Sequence, residues 1–171
     1  MSRNYNPKVL APTYIDVVQW GKVLIHIYWS DYSAKVHRIQ LSLGSMQVPY
    51  PEKSLPTSNK VWIQSVLDGQ INPAQDVDQY CDLDGLSLFQ KAVYFQLMAV
   101  TFGQTVSYAK LAELMGLQRT SARAVGRAVG LNPFLGLIPC HRVIRSDESL
   151  GGYRGGLTLK QYLLEMESKR N

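Results

Sequence analysis

The sequence predicts an α+β protein in two parts, a small strand-rich part over residues 1–85 and a mainly helical part over residues 86–171. Three observations carry this. Short runs of β-branched and aromatic residues, separated by turn residues, fill the first half. Longer apolar stripes at helical spacing fill the second. The charge divides at the same place: residues 1–85 carry 7 Lys+Arg against 8 Asp+Glu and residues 86–171 carry 11 against 5, so the whole excess behind the net +5 lies in the helical half. A basic half of this kind is expected to meet a polyanion such as nucleic acid, the plainer alternative being a solvated basic face.

Composition sets the outer limits. With 46% apolar and 18% charged residues over 171 positions, the chain suits one ordinary domain or two small ones and is not a disordered polymer. Cys81 and Cys140 are the two cysteines, too few for a disulfide framework or a tetrathiolate metal site. The start, Met1 to Lys8, lacks the apolar core of a secretory signal, and no run of about 18 apolar residues exists to span a membrane. The expectation is a soluble protein of a reducing compartment, cytoplasmic, or nuclear in a eukaryote.

In chain order, residues 13–18, 23–29 and 36–41 read as strands, with Trp20-Gly21-Lys22 and Ser30-Asp31-Tyr32-Ser33 as the turns between them. Residues 59–67 read as a helix for which Pro56-Thr57-Ser58 offers an N-cap. Residues 71–85, with Asp76, Asp78, Asp82 and Asp84 and little periodicity, are the best linker candidate. Phe89, Ala92, Val93, Phe95, Leu97 and Met98 mark a helix that ends before Gly103, and Leu157 to Ser168 forms a last one.

Between these lies a helix-turn-helix pattern. Ser107 caps a short helix from Tyr108 to Met115, and Gly116 supplies a left-handed turn residue. A second helix starts near Thr120-Ser121 and runs to Val129, with Leu117, Ala122 and Val125 closing the core between the two. Arg119, Arg123 and Arg127 stand at steps of four and place three cations on one face. Almost no side chain there could read base edges, and Ala, Val and Gly keep the helix slim. Such a helix would enter a groove of DNA with little sequence choice.

The most informative residues are Pro139-Cys140-His141-Arg142. A cysteine in an apolar stretch is ordinarily a small buried hydrophobe. Here Pro139 stiffens the approach, His141 supplies a base or cation that would favour the thiolate, and Arg142 adds positive charge. On a strand, Cys140 and His141 would point to opposite faces, so contact needs a turn, a helix or a bridging water. Glu165 and Glu167 on the last helix are candidates to orient the imidazole.

Ile138-Pro139-Cys140-His141-Arg142-Val143 resembles the active-site signature of the O6-alkylguanine-DNA alkyltransferases, the methylated-DNA–protein-cysteine methyltransferases. Phe89-Gln90, the run from Gly103 to Tyr108, Ala122 to Gly126, Asn132-Pro133, the run from Gly152 to Gly156, and the closing Leu163 to Glu167 fit the same family in the same order. The resemblance covers residues 82–171 and is weak over 1–81. It implies a ribonuclease-H-like first domain (1–85) and a winged helix-turn-helix second domain (86–171) that binds DNA and accepts the alkyl group. Cys140 would take the alkyl carbon of O6-alkylguanine, and by extension of O4-alkylthymine, as a thioether in one irreversible turnover. His141 would act as base through a water, held by Glu167, and Tyr108 would donate toward the leaving guanine. Arg123 would replace the extruded nucleotide in the stack, with Arg119, Arg127, Ser107 and Ala122 as further DNA-binding residues, and Asn132 would brace the turn behind the helix. Val143 and Arg154, through backbone groups, and Tyr153 would line the pocket, with Lys160 nearby. The implied partner is double-stranded DNA bearing alkylated bases, entered from the minor groove with low sequence specificity. The protein is read as a monomer, with cooperation between adjacent copies on DNA left open. No cofactor is implied.

The chain departs from the family in lacking Pro-Tyr before Gly103. Some members hold zinc in the first half, but His26, His37 and Cys81 are too few and unsuitably spaced, so no metal is expected. Three other readings compete. A lesion-binding protein without chemistry would lack Cys140. A transcription regulator would need base-reading side chains on the second helix. A Cys-His hydrolase would have no purpose for Arg123 and the basic half.

Overall fold

The computed structural model describes residues 13–44 and 50–170, and the reading of Met1 to Lys8 lies outside them. The first half is built on three antiparallel strands in the order β1 (Thr13–Trp20), β2 (Val23–Ser30) and β3 (Val36–Ser42). All three fall where β-branched and aromatic runs predict them. Ile25 pairs with Val18 and Leu41, and Ile27 with Asp16 and Ile39, so β2 lies in the middle. Val23, Ile25, Ile27 and Trp29 and also His26 and Tyr28 are buried, so both faces of β2 are covered as well as both edges. A register shift at Tyr28/Trp29 accounts for the imperfect alternation seen along residues 36–41.

Helix α1 (Thr57–Leu67) follows, sending Trp62, Ile63, Val66 and Leu67 into the same buried cluster as the strands. Of the Pro56-Thr57-Ser58 segment that the sequence offers as a cap, Pro56 takes the N-cap position, and among the described residues no side chain caps this helix. The linker expectation for residues 71–85 also needs correction. Asn72 caps a 3-10 turn (Pro73–Gln75), α2 (Val77–Tyr80) follows, and Val77 and Cys81 are fully buried. Trp62 stacks on Tyr80 at 4.5 Å and donates to Asp76 at 2.8 Å. Cys81 bridges Val36, extending the strand edge. Aspartates that resemble linker composition are here fixed by turns and an indole.

Helix α3 (Leu88–Met98) begins with a reciprocal capping box between Ser87 and Gln90. Then come β4 (Val106–Ser107), α4 (Tyr108–Leu114), a 3-10 turn (Arg119–Ser121) and α5 (Ala122–Gly130). After a second 3-10 turn (Cys140–Arg142), β5 (Val143–Ile144) pairs in parallel with β4, and α6 (Leu157–Ser168) closes the fold. Ser107 caps α4 by accepting from Lys110 N at 3.1 Å, as its position predicts. Val125 is buried between α4 and α5, whereas Leu117 remains 36% exposed and closes less of that interface than expected.

Two backbone links set the position of the acceptor segment. The Ile39 amide donates to the Pro133 carbonyl at 2.8 Å, and Ile39 bridges Phe134, so the edge of β3 holds the chain just upstream of Cys140. On the other side, β5 fastens to β4 immediately before Tyr108. Phe134, Leu135, Leu137 and Ile138 continue the buried cluster from the sheet into α4 and α5. Among the described residues, no helix is long and apolar enough to cross a membrane.

Candidate active site

Cys140 opens a 3-10 turn after Pro139, and this local geometry resolves how adjacent Cys and His serve one site. The Cys140 amide donates to the Ile138 carbonyl at 2.7 Å and the Arg142 amide to the Pro139 carbonyl at 3.0 Å. The chain therefore coils instead of extending. Asn132 braces the coil from behind: its Nδ2 donates to the Ile138 carbonyl at 2.9 Å and to Cys140 Sγ at 3.1 Å, while its Oδ1 accepts from the Phe134 amide at 2.9 Å. Asn132 is 1% exposed, so each of these bonds forms away from water.

The Cys140 side chain is buried yet borders a cleft of about 780 Å³. Tyr108, Ala122, Arg123, Gly126, Val129, Arg145, Tyr153 and Arg154 also line it, so the sulfur communicates with the arginine-bearing surface of α5. Three arginines and no carboxylate line this cleft, which makes it attractive to anions. Tyr108 stands between two glycines. A Cβ at Gly126 would lie 3.3 Å from its ring, and one at Gly151 would lie 3.2 Å from its ring and hydroxyl. Gly151 has φ +63, so both the close approach and the backbone favour glycine there.

His141 is fully buried, and its Nε2 lies 2.7 Å from Glu167 Oε1. An ionised carboxylate only accepts, so Nε2 carries the proton and Nδ1 is left as the acceptor. That Nδ1 and the Tyr153 hydroxyl are both buried and make no hydrogen bond among the described residues. The two rings meet edge to face at 6.4 Å.

Glu167 accepts from four donors in all. Arg142 Nε and Nη2 reach it at 2.9 Å each, and the Gly103 amide at 3.0 Å. Burial works against its charge, but the bonds and charges of His141 and Arg142 outweigh that and hold its carboxyl down to about 2. Of the two carboxylates that the sequence offers, Glu167 is the partner; Glu165 is exposed and bonds Gln161.

Burial pushes the Cys140 thiol up to about 11, against the Asn132 hydrogen bond and the charge of Lys160. Burial likewise lowers His141, so its imidazole is neutral at neutral pH. The sequence suggests a standing thiolate favoured by His141. The structure instead holds a thiol beside a neutral base, because desolvation of the sulfur exceeds the help from its neighbours.

Other expected site residues sit less simply. Lys160 does not border the cleft. It is fully buried, and its ammonium donates to the carbonyls of Val143, Leu150 and Gly152, tying β5 to the loop before Tyr153. Burial lowers it to about 8. The Val143 carbonyl thus already holds one donor. Arg154 lines the cleft and donates to the Asn132 carbonyl at 3.4 Å.

The expected row of three arginines is broken. Arg119 belongs to the 3-10 turn before α5 and turns back to Glu113 at 3.0 Å; Arg127 is exposed in the last turn and does not border the cleft. Only Arg123 faces it. Ser107 acts as a cap, and Ala122 is the first residue of α5 on the cleft wall. The sequence marks Arg142 only as a nearby charge. Its isolation as a cation inside the apolar run from Leu137 to Ile144 was the available signal of a buried partner.

Comparison with known proteins agrees with this geometry. Residues 88–169 match the family model described as 6-O-methylguanine DNA methyltransferase, DNA binding domain. The inducible methylated-DNA–protein-cysteine methyltransferase of Bacillus subtilis is 34% identical over 157 residues, spanning 82% of this chain and 86% of that protein. The O6-methylguanine-DNA methyltransferase of Pyrococcus kodakaraensis superimposes with a TM-score of 0.72 at 25% identity, over 91% of this chain and 99% of that one. Mycobacterium tuberculosis OGT in complex with DNA gives 0.70 at 27% identity, over 92% and 94%. A buried cysteine braced by asparagine, a His–Glu–Arg network behind it and these matches over both halves lead to one assignment: the chain belongs to the methylated-DNA–protein-cysteine methyltransferase family.

Proposed function

We propose that this protein repairs DNA by moving the alkyl group of O6-alkylguanine onto Cys140 in a single irreversible step. The observation that carries the reading is the sulfur itself: Cys140 lies on the wall of the cleft that also presents Arg123 and Tyr108.

The Cys140 proton passes through a water to His141 Nδ1, the free acceptor of a tautomer fixed by Glu167. The sulfur lone pair forms the S–C bond to the alkyl carbon as the C–O6 bond breaks. The electrons of that bond go to guanine, which takes the Tyr108 hydroxyl proton, and the proton held by His141 returns through water to the Tyr108 oxygen. The products are ordinary guanine and an S-alkyl cysteine. A thioether does not hydrolyse, so no second step regenerates the thiol.

A base inside a duplex cannot reach Cys140, so the nucleotide must rotate out, at a cost of a few kcal/mol. In this reading α4 and α5 act as a winged helix-turn-helix that enters the minor groove with little sequence preference. Arg123, the α5 arginine on the cleft, fills the vacated stack. Tyr153, the backbone of Arg154 and the second lone pair of the Val143 carbonyl receive the extruded base. Residues 1–85 form a ribonuclease-H-like scaffold for residues 86–171, and the protein acts as a monomer.

Intact mass after incubation with duplex DNA containing O6-methylguanine tests the reading. Wild-type protein should gain one methyl group and Cys140→Ser none, with repaired base saturating at one equivalent per protein. Continued repair beyond one equivalent would overturn it.

A further inference from the structure

The His141–Glu167 pair is held by a column of contacts that begins in the other half of the molecule. Helix α1 ends in a turn in which the Gly69 amide donates to the Val66 carbonyl at 3.0 Å and the Gln70 amide to the Ser65 carbonyl at 2.9 Å. This is a Schellman closure, with Gly69 at φ +72 in the position that favours glycine. The turn is anchored by Asp68, which accepts from Trp20 on β1 at 3.3 Å and from Arg170 beyond α6 at 3.0 Å.

Phe102 packs directly on this turn. A Cβ at Gly69 would lie 2.7 Å from Cδ2 and 2.8 Å from Cγ of that ring, so only glycine lets the ring sit there. The Arg142 guanidinium lies over the Phe102 ring, 5.4 Å from its centroid. Its three nitrogens are all engaged: Nη1 donates to the Val100 carbonyl at 2.6 Å, and Nε and Nη2 to the two oxygens of Glu167. A bidentate fork fixes both the distance and the plane of the carboxylate. Glu167 in turn fixes His141.

We infer that Arg142, clamped by Phe102 against the Gly69 turn, is the positioning residue that sets the orientation and charge of the Glu167–His141 pair, so that the first half of the chain takes part in activating Cys140. This deepens the proposed alkyl transfer and rests on it. Arg142 touches no reacting atom in this scheme; it acts through Glu167. A loosened guanidinium would leave Glu167 as a stronger acceptor for His141 and admit water behind the ring. Both changes favour the imidazolium, which cannot take the Cys140 proton.

The groups facing His141 are Glu167 and Lys160 from α6, Arg142 and Cys140 from its own turn, and Tyr153 from the loop before α6. Of these, removal of Arg142 or withdrawal of its Phe102 support moves the histidine toward its charged form. Removal of Lys160 would do the same while sparing the Arg142–Glu167 fork.

The test is the pH dependence of single-turnover methyl transfer from O6-methylguanine duplex for wild type, Arg142→Met, Arg142→Lys and Phe102→Leu. The His141 imidazole is followed in parallel by NMR titration in the absence of DNA. Arg142→Met should move the acid limb of the rate profile to higher pH, with a roughly tenfold fall on the acid side per unit moved and recovery on the alkaline side. Phe102→Leu should move it in the same direction by less, and Arg142→Lys should restore part of the loss. The NMR midpoint should move with the limb. An equal fall at every pH with an unmoved histidine titration would overturn the inference and reduce the column to a structural support. If wild type transfers no methyl group, the proposed function fails, but the histidine titrations still decide whether the column controls His141. Phe102→Leu keeps the question open to measurement should Arg142→Met not fold.

Discussion

Substituting Glu167 by Gln changes little in shape and removes one charge, which makes it a sharp probe of the network. Glu167 accepts from His141 Nε2, Arg142 Nε, Arg142 Nη2 and the Gly103 amide. A glutamine offers one oxygen and one NH2, so at least one of these donors must face another donor. Arg142, 8% exposed, would also lose its counter-ion, and breaking a buried pair from one side costs about 3–5 kcal/mol. Proton linkage gives a second estimate. Glu167 falls from an ordinary 4.5 to about 2 in the folded state, equivalent to about 3 kcal/mol. Because the folded value is depressed, this stabilisation is fully present above pH 4.5 and is lost as the pH falls toward 2. Urea denaturation at pH 6 and pH 3 reads both quantities. At pH 6 the variant should be less stable by about 3 kcal/mol. Between pH 6 and pH 3 wild type should lose about 2 kcal/mol more than the variant, since only wild type carries this titration. Equal acid loss in the two proteins, with stability at pH 6 unchanged, would refute the reasoning.

Asn132→Ala removes the brace behind the acceptor and strands the Phe134 amide in the interior, while the Ile138 carbonyl keeps the Cys140 amide; urea denaturation should show a loss of about 1–3 kcal/mol, with slower methyl transfer. Tyr108→Phe should keep DNA affinity, read by anisotropy, while lowering the single-turnover rate by roughly 100-fold through loss of the proton donor. Arg123→Ala should slow transfer from duplex DNA by at least about tenfold, because nothing then fills the vacated stack. The same variant should react with free O6-methylguanine base at the wild-type rate, and an equal loss on both substrates would count against a role in extrusion.

Much of this site is legible in the sequence because its parts are close together or patterned. The strands at 13–20, 23–30 and 36–42 declare themselves by β-branched runs, and Ser107 by standing before a helix at a capping position. Cys140 and His141 are adjacent, and Glu167 lies on a helix that Leu159 and Leu163 mark by their spacing. What sequence spacing hides is partnership across distance. Nothing in the order of residues says that Gly69 must be glycine to admit Phe102, or that Lys160 turns inward to backbone carbonyls instead of toward the cleft. The linker reading of residues 71–85 failed for a related reason: short polar turns with one or two buried anchors, Val77 and Cys81, carry no periodicity. The broken arginine row reflects a 3-10 turn, whose three-residue repeat removes Arg119 from the face of α5. The protonation state of Cys140 likewise depends on burial that only the assembled core creates.

The identity of the alkylated atom is the most direct test of the whole account. Peptide mapping by tandem mass spectrometry after reaction with O6-methylguanine duplex should place the methyl group on Cys140 alone. Cys81, fully buried against Val36 and away from the wall of the cleft, should remain unmodified. A methyl group on Cys81, or one that leaves Cys140 and lets the protein react again, would contradict it.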